Sequence, residues 1–441
     1  MLLIGNGTVI TRDQNQSCIP NGCVAIEGEH IVGLGDTKAL LALFPQAEYI
    51  DVKSRLIMPG LINTHHHSYS TMARGISLPN YAPRNFLEIL QGLWWKLDSK
   101  LSIHNCYYSA LYTFMDCIKN GVTTVFDHHA SYGAITDSLE AITRASTELG
   151  VRSCLCFEVS DRHGEESTLE AMKANVNYMN QLHPAQDQHK AMMGLHASFT
   201  LSDHTLAQVR ELTPSHIGFH IHVAEDQLDV QDCMDRYHKP VLFRLFDHGL
   251  LGTQSITAHC NHINEEEMAI LRDTQTNVVV NPESNMGNAV GCPQAMQMMN
   301  QYHIPIGLGT DGYTSDMFES WKVANLIYKH QLQNPNVGWT ETADMLFVNN
   351  VRIANRFFSS TLGRLEEGAA ADVIIVDYQG PTPLNAYNIN AHLLFGANGS
   401  KVTDTIIAGK ILMRNRELTD IDEAAIMHKV RESTSQLWKL I

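Results

Sequence analysis

Four stretches of this chain close an apolar run with side chains that can bind a metal or carry a proton. They are Met58-Pro-Gly-Leu-Ile-Asn-Thr-His65-His66-His67, His220-Ile-His222-Val-Ala-Glu225, Thr257-Ala-His259-Cys and Gly309-Thr-Asp311-Gly. On an extended strand residues i and i+2 share a face, so His65 and His67 aim together while His66 faces the other side. A histidine triplet in a chain with 23 histidines can also be a polar loop; its recurrence with other reactive groups at four strand ends argues for a site. A catalytic zinc keeps three or four nitrogen and oxygen ligands and an open position for water. His65, His67, His222 and Asp311 supply that set, and the chemistry it favours is hydrolysis by a water whose pKa the metal lowers. Glu225, three residues past His222, is within reach of a substrate above the ion and suits proton transfer. His259 can hold or deprotonate the attacking water. His220 shares the inward face one layer deeper and reads as structural.

The elements that must position these groups alternate in type. Strand-like runs at Leu61 to Thr64, Val122 to Phe126, Val151 to Phe157, Ala191 to Leu195, Ile217 to Ile221, Ser255 to Ala258, Asn277 to Val280 and Ile304 to Leu308 are separated by helical patterns. Among those helices are Ile103 to Lys119, Ile135 to Leu149 closed by Gly150, and Ser202 to Leu212 with serine as N-cap. This alternation predicts an α/β chain built on a (β/α)8 TIM barrel over residues 58–365, whose active site lies at the C-terminal strand ends. The two chain ends differ from the middle: short strands and tight turns before Met58, and again from Ala371 to Arg414 ahead of a last helix from about Ile421. They predict one small β-sandwich domain composed of residues 1–57 and 366–441.

With 31 basic against 47 acidic residues the net charge is −16, which argues against a nucleic-acid surface. No apolar run reaches membrane-spanning length and the first residues lack a basic leader, so a cytoplasmic protein without membrane contact is expected. Nine scattered cysteines without a CxxC pair read as reduced thiols.

Pro59-Gly60 leading to His65-x-His67, then His222-x-x-Glu225, His259 and Asp311, resembles the amidohydrolase superfamily, in its branch of cytosine, guanine and S-adenosylhomocysteine deaminases and triazine hydrolases. The likeness spans nearly the whole chain, including Gly363-Arg-Leu-Glu-Glu-Gly-Ala-Ala-Ala-Asp372. Leu93-Trp94-Trp95-Lys96-Leu97-Asp98, Asp127-His128-His129-Ala130-Ser131 and Ser315-Asp316-Met317-Phe318-Glu319 are similar to the aminohydrolases called SsnA, associated with purine or selenium-linked catabolism; no substrate follows from that. The resemblance implies one divalent ion, zinc or alternatively iron, on His65, His67, His222 and Asp311, with Glu225 as proton shuttle and His259 orienting the water. His196 matches a substrate-contacting histidine. Binuclear relatives carry a lysine at that strand end, whereas Lys190 here lies at the opposite end of its strand. The implied reaction is attack of metal-bound hydroxide on an amidine-like carbon of a heterocycle, with ammonia leaving. Family members also set the expectation of a homo-oligomer.

Several residues have two readings. His128, His129 and Glu158 follow strands two and three and can line the substrate cavity or serve structure; Arg74, in the segment after strand one, can hold a ring carbonyl or sit in a surface pair. Tyr69 lies in the same segment, and Trp94 and Trp95 read as core or subunit contacts. His129, Glu158 and Arg74 join His196 as candidate substrate contacts. Gly307-Leu-Gly309-Thr-Asp311-Gly312 fits a dinucleotide glycine pattern, but Asp311 would face the pyrophosphate with like charge and no first βαβ unit frames it. The rival functions are dechlorination or cyclic-amide cleavage on the same scaffold, a non-catalytic barrel, and a nicotinamide oxidoreductase.

Overall fold

The computed structural model describes residues 1–13, 18–183 and 186–441. The middle of the chain forms two parallel sheets of five and four strands. We label their main strands β1 (Leu61–His66), β2 (Val122–His129), β3 (Arg152–Phe157), β4 (Met193–Ala197), β5 (Phe219–Val223), β6 (Ile256–His259), β7 (Asn277–Val280) and β8 (Ile306–Leu308). The eight expected strands are present in order, with shifted ends. β1 and β2 continue to His66 and His129, because pairing such as His66 with Asp127 carries the ladder past the apolar run. The fourth run is split: His189–Ala191 pairs with β3, and after Met192 the chain crosses to pair with β5.

Helices follow the strands and cover them. Ile103–Lys119 is opened by a Ser102/Asn105 capping box, Ser138–Leu149 ends on left-handed Gly150, and Asp203–Leu212 has the Ser202 side chain accepting from the Thr205 amide. The two sheets meet at both edges. Val159 bridges to Leu195 between β3 and β4, and His66 bridges to Asp311 between β8 and β1. At the second edge Asn350 accepts from the Leu308 amide at 2.7 Å and donates to the Ile62 carbonyl at 2.8 Å, tying β8 to β1 from beneath.

Both chain ends build one nine-stranded sheet. Leu56–Pro59 lies at its centre, parallel to Leu2–Ile10 and antiparallel to Val373–Val376. The strands are hydrogen-bonded into one continuous sheet, where the sequence suggested a sandwich, because Leu56–Pro59 pairs with an N-terminal strand on one side and a C-terminal strand on the other. Ile4, Val24, Ile57, Val373 and Ile406 form its apolar core. Leu56–Pro59 then runs into β1 through Gly60, where a Cβ would lie 2.3 Å from Thr123, so only glycine allows the passage. The nine cysteines are all free, and no helix among the described residues is long and apolar enough to cross a membrane.

Candidate active site

Strand β1 delivers His65 and His67 to the C-terminal end of the parallel sheets, β5 delivers His222, and the turn after β8 delivers Asp311. His67 Nε2 lies 2.9 Å from Asp311 Oδ1 and 3.2 Å from His222 Nε2, and His65 Nε2 is 3.8 Å from Asp311 Oδ1. The far nitrogen of each ring is held. His67 Nδ1 bonds to the His128 carbonyl at 2.5 Å and His222 Nδ1 to the His196 carbonyl at 2.8 Å. A carbonyl only accepts, so both Nδ1 atoms carry a hydrogen, and each ring in its neutral form presents its lone pair on Nε2. His65 Nδ1 meets His220 Nε2 at 2.8 Å, while His65 Nε2 is buried without a hydrogen-bond partner. Lone pairs and a carboxylate gathered in one buried spot repel unless a cation or protons stand among them. The set therefore fits one divalent ion with nitrogen and oxygen ligands. Without the ion, burial and the neighbouring imidazoles hold His65 and His222 well below the ordinary histidine range. Burial opposes charge on His67, but Asp311, the His128 carbonyl and Glu158 together raise that ring to about 9, so until a metal ion displaces it a proton sits on Nε2 facing Asp311. His66 faces away, its Nδ1 2.9 Å from Thr310 Oγ1.

Two proton-carrying groups adjoin this cluster. His259 Nε2 lies 3.5 Å from Glu225 Oε2 and 3.6 Å from Asp311 Oδ2. Its Nδ1 meets Asn285 Oδ1 at 2.8 Å, an oxygen that also accepts from Asn261 Nδ2 at 3.1 Å, so neutral His259 keeps its lone pair on Nε2. Burial, and next the charge of Asp311, push the Glu225 carboxyl well above the usual range, which keeps it protonated as a donor. The backbone turns sharply at these places: Ala224, His259 and Asp311 all have left-handed φ, at 45°, 71° and 53°. Such positions cost about 1–3 kcal/mol each and gather where function demands a particular direction. Asp229, which the sequence reading passed over, holds the Glu225 turn by accepting from the Ala224 amide at 2.8 Å and the Phe199 amide at 2.9 Å.

Above the cluster lies a cavity that is partly open to solvent. His196 and Glu158, both expected as substrate contacts, line it; Arg74 and His129 do not. Arg74 is exposed and donates to the Tyr112 hydroxyl at 2.9 Å, because the short helix Ser68–Ala73 ends just before it and turns the chain to the surface. His129 is fully buried behind Tyr69, its Nε2 3.0 Å from Ser131 Oγ. His128 is also internal, bonded through Nε2 to the Leu195 and His220 carbonyls at 3.0 and 3.2 Å. Trp94 and Trp95, read as core or subunit contacts, line the cavity, as do Asp98, Arg162 and Tyr313, which the sequence reading did not single out as site residues. Asp98 closes the stretch Leu93-Trp94-Trp95-Lys96-Leu97-Asp98 that carries the family resemblance, and that membership was the available signal. Arg162 sits in the one-turn helix Asp161–His163, whose sequence carries no distinguishing pattern.

Residues 56–412 match the amidohydrolase family. The chain is 30% identical over 449 residues to a 5-methylthioadenosine/S-adenosylhomocysteine deaminase of Syntrophomonas wolfei, with 99% of each chain covered. It is 30% identical over 443 residues to a 5'-deoxyadenosine deaminase of Methanosarcina barkeri, covering 99% of this chain and 98% of that one. Among solved structures it resembles a zinc-bound adenosine deaminase of Xanthomonas campestris, with TM-score 0.88, 22% identity and coverage of 99% and 98%. The expected likeness to the deaminase branch is borne out by these relatives. With a family match that spans both parallel sheets and the C-terminal strands that brace them, the chain belongs to the amidohydrolase family.

Proposed function

We propose that this chain is a metal-dependent aminohydrolase that removes ammonia from an aminated purine-like heterocycle, with one divalent ion, zinc or alternatively iron, held by His65, His67, His222 and Asp311. The observation that carries the reading is the buried His65 Nε2, without a hydrogen-bond partner, beside the convergent Nε2 atoms of His67 and His222 and the Asp311 carboxylate. A divalent ion there would polarise water and bring its pKa toward neutrality.

The remaining work falls to side chains. Glu225, kept protonated, gives its proton to the ring nitrogen beside the reacting carbon. His259 accepts the first proton of the attacking water on Nε2 and, now charged, faces the oxygen that gains negative charge. That proton returns to Glu225 across the 3.5 Å gap, while Asp311 takes the second and passes it to the departing ammonia. Transfers of this kind are each worth about 10²- to 10⁴-fold in rate. The same reading takes residues 58–365 as a closed (β/α)8 barrel, supported by the bridges at both sheet edges, and residues 1–57 with 366–441 as a composite domain bracing it. The test pairs metal content per chain with ammonia release from adenine, guanine and 5'-deoxyadenosine. A zinc-loaded protein that releases ammonia from no aminated ring overturns the proposal.

A further inference from the structure

Two buried asparagines stand behind the groups that carry protons. Asn261 Nδ2 donates to the Glu225 carbonyl at 2.9 Å and to Asn285 Oδ1 at 3.1 Å, and Asn285 Nδ2 donates back to Asn261 Oδ1 at 2.9 Å. Asn285 Oδ1 also faces His259 Nδ1 at 2.8 Å. The two side chains thus form a reciprocal amide pair, with the Glu225 backbone at one end and the His259 ring at the other. The pair is not what holds these two turns together. The Cys260 amide donates to the Val223 carbonyl at 2.9 Å and the His262 amide to the Ala224 carbonyl at 3.1 Å, so backbone bonds already do that.

What the pair adds is a fixed sense of donor and acceptor. A backbone carbonyl only accepts, so the Asn261 atom facing Glu225 must be the NH₂. Its oxygen then faces Asn285, and the reciprocal bonds require the Asn285 NH₂ there. That leaves the Asn285 oxygen against His259, and an oxygen requires an N–H on Nδ1. An amide turned the other way within this series would set N–H against N–H, or oxygen against oxygen, in a buried place. Asn281, on the other side of the ring, lacks such a fix. Its Nδ2 is 3.4 Å from His259 Nε2, but its Oδ1 has no hydrogen-bond partner, so no bond to that oxygen decides which way the amide faces.

We propose that Asn261 and Asn285 are positioning residues that carry the polarity of the Glu225 carbonyl to the His259 ring, holding the hydrogen on Nδ1 and leaving the Nε2 lone pair for the attacking water. Neither side chain lines the cavity. One part of the reaction thereby sets another: the peptide that carries Glu225 as proton donor also keeps His259 in the form that can accept a proton. The inference rests on the deaminase reading, in which His259 takes a proton on Nε2, and deepens it by naming what keeps that position open.

Imidazole nitrogen NMR spectra of the zinc-loaded full chain test it without substrate, the His259 signals being those that His259→Ala removes. The wild type should show the hydrogen on Nδ1. A hydrogen on Nε2 instead overturns the proposal, and that result needs no variant that could fail to fold. Asn285→Leu and Asn261→Leu nearly keep the side-chain shape, and each should let the ring exchange toward the Nε2–H form, although Asn261 makes no bond to it. Turnover is read by ammonia release from whichever of adenine, guanine and 5'-deoxyadenosine gives the highest kcat/KM. Asn285→Leu should lower kcat about 10²- to 10⁴-fold and Asn261→Leu about 10- to 100-fold, each with KM within about threefold and zinc content unchanged. In a His259→Ala background either change should cost less than about twofold more. A tautomer unmoved in either variant, or a full further loss in the His259→Ala background, as a merely structural role would produce, overturns the proposal. A wild type with its hydrogen on Nδ1 that releases no ammonia from any aminated ring sinks the deaminase reading and leaves the pair standing; ammonia release with the hydrogen on Nε2 does the reverse.

Discussion

The imidazole cluster and the Trp95–Asp98–Arg162 wall face the same cavity but are held in place by different means. His67 and His222 are aimed by backbone carbonyls of neighbouring strands, His128 and His196, so moving either ring would require moving a sheet. At the wall, side chains hold side chains: Arg162 clamps Asp98 and Glu158, and Asp98 comes from the segment that follows β1. Backbone-held groups suit chemistry, which gains from donors that need no reorganisation as charge develops. Side-chain-held groups can differ between relatives without disturbing the sheets, which suits substrate choice.

The contrast can be broken most severely at the cluster. Removing the ion with a chelator, or His67→Ala, should lower ammonia release by about four orders of magnitude or more, with recovery on adding zinc back only for the chelated wild type. Glu225→Gln should keep its metal by elemental analysis while turnover drops about 10²- to 10⁴-fold; normal turnover would contradict the shuttle role.

The wall should show itself more gently, in stability against pH. Burial, only partly offset by Arg162, raises the Asp98 carboxyl to about 8. A group whose pKa is raised on folding lends stability below its unfolded value, about 4, and that contribution is lost as pH climbs toward 8. The melting temperature of wild type minus that of Asp98→Asn should therefore fall between pH 5 and pH 8.5; a flat or rising difference would show that Arg162 keeps Asp98 ionised throughout. The smallest effect is expected from Arg74→Ala, which alters kcat/KM by no more than about twofold because the side chain points to solvent beside Tyr112. A larger loss would return Arg74 to the cavity.

The cluster was legible before any coordinates because its residues sit on strand ends, where side chains alternate with period two and apolar runs mark the strands. His65, His67, His222 and Asp311 do converge, and Glu225 and His259 adjoin them. Arg74 and His129 were misplaced for one shared reason. Each stands just past or at the end of a regular element, where period no longer tells direction: a helix end turned Arg74 outward, and Tyr69 came to cover His129. Arg162 and Trp95 lie 67 positions apart in the chain, and nothing in either neighbourhood announces the other.

By itself the sequence determined which elements form and which of their ends carry nitrogen and oxygen donors, because both follow from local periodicity and residue type. Only the tertiary structure decided which donors are left without a hydrogen-bond partner, which carboxylates share one arginine, and that both chain ends knit into one sheet. Those outcomes depend on who is buried against whom, and burial is settled by the packing of distant segments.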